Sequence, residues 1–99
     1  EYNELNLLCL NNYAYFLGMD GQQLDKAERM SRITVEAEGT DPTYLDTYAW
    51  ILYLKKDYVQ AREYIREAIR LAEETEANAS IFEHAGDIAY QCATQSLAT

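Results

Sequence analysis

Basic residues are scarce in this chain: Lys and Arg total 8 against 17 Asp and Glu, giving a formal net charge of −9. A phosphate backbone needs a positively charged face, so the composition argues against a nucleic-acid ligand. The acid is spread through the chain rather than gathered in a tail. It favours basic partners modestly and also serves solubility. Histidine occurs once and cysteine twice, with no CxxC or Cys/His spacing of a zinc site. Cys9 and Cys92 lie near opposite ends, so two single buried thiols are expected rather than a disulfide. Unpaired thiols fit a reducing compartment without requiring one, and cytoplasm and periplasm are not separated. No apolar run is long enough to span a bilayer, so membrane insertion is not expected. No signal peptide is visible, and the chain opens on Glu1 rather than Met, as a piece of a longer polypeptide or a processed form would. Strand patterns, low-complexity tracts and interdomain linkers are also missing, and 99 residues are read as one domain.

What the chain does contain is helical periodicity, clearest over residues 41–69. Leu45, Tyr48, Ala49 and Leu52 form one stripe of a 3.6-residue period. Asp41 and Pro42 suit the N-cap and first-turn positions of that helix. Tyr58, Ala61, Ile65, Ala68, Ile69 and Ala72 make a second stripe. The short Lys55-Lys56-Asp57 link makes the two helices antiparallel neighbours. Ala49, Ala61 and Ala68 place only methyl groups on the inner faces, which lets the axes approach closely.

The pattern recurs on both sides. Leu10, Tyr13, Ala14 and Leu17 match Leu45, Tyr48, Ala49 and Leu52 at an offset of 35 residues. Leu24 and Ala27 match Tyr58 and Ala61 at 34, and the stretch from Phe82 to Ala89 matches Leu45 to Leu52 at 37. A first helix is expected from about Glu4 to Leu17, ended by Gly18, and a second over about 22–38. The fourth should end near Thr75 or Glu76, and a fifth should cover about 79–92. The expectation is all-α: an α-solenoid of antiparallel pairs, with units at about 4–39 and 41–76 and a partial unit at 79–99.

Period and pattern resemble the tetratricopeptide repeat, a helix–turn–helix unit of about 34 residues. Ala14, Ala49 and Gly86 stand at the small position of that family's first helix, and Tyr58 at the aromatic opening its second. Ala27, Ala61 and Ala68 match its later alanines, whereas Lys56 replaces its usual turn glycine. Phrases such as LNNYAYFL and YLDTYAWILY have a bacterial cast.

The resemblance implies a protein-interaction scaffold whose first helices line a concave groove for a peptide or helix. Carried over by position, the groove residues are Leu8, Asn11, Asn12 and Tyr15, then Asp46, Thr47, Trp50 and Tyr53. Ser80, Glu83, His84, Asp87 and Tyr90 follow in the third unit. One subtype clamps a terminal carboxylate with Lys, Asn and Arg. Only Asn12 is in place here, so an acidic-tailed partner is not expected. The competing reading is self-association through an uncovered face at Phe82, Ala85, Ile88 and Ala89, which would make a homo-oligomer. His84, with Glu83 beside it and Asp87 at i+3, has no nucleophile at helical spacing. No catalytic, cofactor-binding or metal role is assigned.

Overall fold

The computed structural model describes residues 4–74 together with Asp87, Ile88, Tyr90 and Cys92. Four α-helices make up this part: α1 (Glu4–Asp20), α2 (Leu24–Ala37), α3 (Pro42–Leu54) and α4 (Tyr58–Glu74). No strand occurs among the described residues. Asp87, Ile88, Tyr90 and Cys92 are helical; the remainder of the expected fifth helix lies outside the described residues.

Each reversal is built by local chemistry. Asp41 caps α3 as read: its side chain accepts from the Thr43 and Tyr44 N–H groups, with Pro42 in the first turn. At the other end of α3, the Lys56 N–H bonds the Tyr53 carbonyl and the Asp57 N–H bonds the Leu52 carbonyl, both at 2.9 Å. That is a Schellman closure, and it sets Lys56 at φ 69, in the left-handed region that glycine normally fills. Asp57 then opens α4, its carboxylate accepting from the Gln60 N–H. The α1–α2 turn uses Gly21 at φ 79, with its N–H shared between the Leu17 and Gly18 carbonyls.

Gly18 is therefore not the stop expected of it. It lies inside α1, and a Cβ there would sit 3.2 Å from Ile51 Cγ1 and 3.8 Å from Leu54 Cδ1. Its smallness serves a close approach of α1 to α3, and the helix runs one turn further.

Neighbours pack in a defined order. α1 packs on α2, α3 on α4, and α3 additionally meets both α1 and α2. The larger core cluster joins Leu45, Tyr48, Ala49 and Leu52 of α3 to Ala61, Ile65, Ala68, Leu71 and Ala72 of α4, and includes Ile88. Tyr48 and Tyr64 meet edge to face at 4.8 Å within this helix pair. A second cluster holds Ala14 and Leu17 of α1, Ala27 of α2 and Ile51 of α3, with Met30 against it. Small residues line the seams as the periodicity predicts: Ala14, Ala27, Ala49, Ala61 and Ala68 are all fully buried. α2 turns Ala27, Ser31 and Thr34 inward, and the Thr34 hydroxyl donates to the Ser31 carbonyl at 2.6 Å.

The arc that α1 buries differs from the expected one. Leu7, Asn11, Ala14, Leu17 and Gly18 face inward, Leu10 is half-buried and Tyr13 is exposed. α1 is apolar on nearly every side, so its own sequence does not choose an arc; contact with α2 and α3 does. Cys9, expected to be buried, is exposed for the same reason, and Cys92 is half-buried with its thiol donating to the Tyr58 carbonyl at 3.3 Å.

Candidate partner-binding face

α3 packs against α1, α2 and α4, which leaves a narrow outlet around Trp50 and Tyr53. Every residue from Tyr44 to Ala49 is buried, as are Ile51 and Leu52. Asp46 and Thr47 are therefore corrected from groove residues to interior ones, because helices cover the arc on which they sit. Asn11, in the matching position on α1 to Asp46, is also buried, and its Oδ1 meets no hydrogen-bond donor.

The outlet is aromatic. Trp50 and Tyr53 are half-buried and stack at 4.7 Å with 19° between their planes. Tyr58, at the start of α4, continues the row at 5.7 Å from Tyr53. Sequence reasoning placed Tyr58 only in the core stripe; its half-burial at a helix start lets it serve both. On α1, Leu8 and Asn12 are exposed and Tyr15 is half-buried, one strip at i, i+4 and i+7. Tyr15 is the offset-35 counterpart of Trp50. Asp87 and Tyr90 are exposed, whereas Ser80, Glu83 and His84 lie outside the described residues.

Ile88, expected on an uncovered face, is fully buried in the α3–α4 cluster. It drops out of the proposed self-association surface; Phe82, Ala85 and Ala89 lie outside the described residues.

A polar clasp between α2 and α3 escaped the sequence reading. Lys55 reaches across to Asp25 at 2.8 Å and to Glu28. Glu28 also pairs with Arg32 and accepts from the Tyr48 hydroxyl at 3.4 Å, while Arg32 Nε donates to that hydroxyl at 3.3 Å. The hydrogen bond from Lys55 holds the Glu28 carboxyl below its ordinary value, with Arg32 assisting against the opposing effect of burial. Asp25 is held low by the same ammonium, and Lys55 is in turn held high by Asp25 and Glu28. Burial pushes the Tyr48 phenol up, with Arg32 opposing. These shifts move away from neutrality, the reverse of what a general acid or base needs. The clasp registers α2 on α3. Only its Glu28–Arg32 spacing was visible in the sequence; Lys55 is 27 residues from Glu28.

On the far side of the first hairpin an open apolar groove of about 600 Å³ is lined by Leu5, Asn6, Cys9, Leu10, Tyr13 and Met30. Among the described residues no group of three or more His, Cys, Asp or Glu side chains is placed to hold a metal ion. Among them, too, no helix is long and apolar enough to cross a membrane. Comparison with protein-family models, with curated proteins and with solved structures finds no match to this chain.

Proposed function

We propose that this chain is a protein-interaction module of tetratricopeptide-like, bacterial type, a solenoid of helix pairs that holds a peptide or helix of a partner protein. The observation that carries the reading is the Trp50–Tyr53 stack. Two large rings share an outlet of a largely enclosed helix, and Tyr15 repeats the position on α1. Rings of this kind supply contact area at low entropic cost and dominate many interfaces. The two helix pairs, the offset of 35 residues and the alanine seams support the repeat assignment. The net charge of −9 favours a basic ligand.

Trp50 is the single tryptophan, so its fluorescence reports directly on this face. Peptides selected from a random displayed library should be enriched in Lys and Arg and should shift that emission on titration. Trp50→Ala, read by anisotropy of labelled peptide, should weaken binding by about tenfold or more, the scale of a central interface aromatic. Unchanged affinity in Trp50→Ala would remove this face from the binding site.

A further inference from the structure

The cations of this acidic chain are unevenly placed. Of its 8 Lys and Arg residues, Lys26, Arg29, Lys55 and Lys56 line one cavity of about 750 Å³, where the α1–α2 turn meets the α3–α4 turn. Among the described residues Asp25 is the one acid of that lining, and no aromatic ring takes part in it. Gln22 and Gln23, both exposed, add side-chain amides.

Two of the cations are already engaged within the chain. Lys55 is gripped by Asp25 and Glu28, and the Lys26 ammonium lies 5.7 Å from the centroid of the Tyr13 ring. Arg29 and Lys56 are different: both are exposed, and neither forms an ion pair with a described residue. Arg29 is close enough for its positive field to act on Asp25 without pairing with it. With Glu28 counted beside Asp25, cations still exceed acids by two here, on a chain whose formal sum is −9. A recess lined by one sign of charge gathers groups of the other. Guanidinium can grip a carboxylate with two parallel N–H bonds, while ammonium attracts it as a point charge.

We propose that this cavity binds a short acidic segment of a partner protein, its Asp or Glu side chains set on Arg29 and Lys56 and its backbone met by the Gln22 and Gln23 amides. The cations are spread along two turns, which suits successive carboxylates on an extended chain. A nucleotide would find no ring in the lining on which to stack its base. A long polyanion, or a second copy of the chain, would meet the overall negative charge beyond the patch. The cavity lies at the turns, apart from the groove positions that lack a carboxylate clamp, and the proposal takes no step from the Trp50 reading.

The test is a titration of the isotope-labelled full chain with hexaglutamate, followed by amide chemical shifts, with hexaglutamine as the neutral control. Saturable shifts should appear over residues 21–26 and 54–56 with hexaglutamate alone, and should weaken as salt rises. Arg29→Gln combined with Lys56→Gly should weaken binding by about fivefold or more, the scale of two exposed ion pairs. Both changes spare the fold: Arg29 is exposed, and the φ of 69 at Lys56 suits glycine. Shifts centred instead on Arg62 and Arg66 of α4, equal response to hexaglutamine, no saturable shift, or unchanged affinity in the double variant would each overturn the proposal. So would tighter binding of inorganic tripolyphosphate at the same amides, which would make this a phosphate site. Self-association in sedimentation that the double variant removes would assign the cavity to a second copy and overturn it as well.

Discussion

Gly18 against Ile51 is a close contact of α1 with α3 at the joint between the two hairpins, and a double-mutant cycle measures it. Ile51 is fully buried and is α3's member of the cluster shared with Ala14, Leu17 and Ala27. Its partners are mostly small, so Ile51 fills the space among them. Ile51→Ala removes three buried carbons, at about 0.8 kcal/mol each, and leaves a cavity; a loss of about 3 kcal/mol is expected. Gly18→Ala carries two opposed effects. Alanine favours the helix interior by about 1 kcal/mol over glycine. The new Cβ, however, would lie 3.2 Å from Ile51 Cγ1, and that crowding offsets the gain.

The combination separates these effects. In the Ile51→Ala background the crowding atom is gone, and the next neighbour, Leu54 Cδ1 at 3.8 Å, is at ordinary contact distance. Gly18→Ala should then stabilise by about 1 kcal/mol, while it is neutral or destabilising alone. Urea unfolding followed by circular dichroism gives all four stabilities, provided the slope with denaturant stays constant across the set. Additivity of the two substitutions within about 0.5 kcal/mol would mean the residues do not touch, and the packing of α1 on α3 described above would be wrong.

Lys56→Gly should raise stability by about 0.5–1 kcal/mol, because an L-residue in the left-handed region is strained and Lys56 sits at φ 69. Lys56→Ala, which keeps a Cβ, should give no such gain in thermal melting. The clasp predicts an acid weakness with a definite sign. Glu28 has its carboxyl held below the ordinary 4.5 when folded, so its contribution is whole above that value and is lost as pH falls through the lowered one. Melting temperatures taken between about pH 6 and about pH 3 should therefore fall less steeply in Glu28→Gln than in the native chain; equal slopes would discard the clasp. Gln23→Ser should add about 1 kcal/mol, since Gln23 stands at the α2 N-cap with no side-chain hydrogen bond to the first turn.

The helix pairs were legible because alanine at helical spacing has few other uses, and Ala49, Ala61 and Ala68 are buried as that spacing requires. Asp41-Pro42 was legible for a similar reason: both residues have a fixed job at a helix start. Gly18 was not, since a glycine that ends a helix and one that admits a neighbour look alike in sequence. Tyr13 misled because α1 offers apolar residues on several arcs, and the choice among them is made by α2 and α3. Asn11, Asp46 and Thr47 are groove residues by repeat position alone; three neighbours around α3 cover the arc that holds Asp46 and Thr47, and Asn11 lies on the arc of α1 that turns inward with Leu7 and Ala14. The Glu28–Lys55 pair spans a turn and two helices, a separation over which no local pattern carries information.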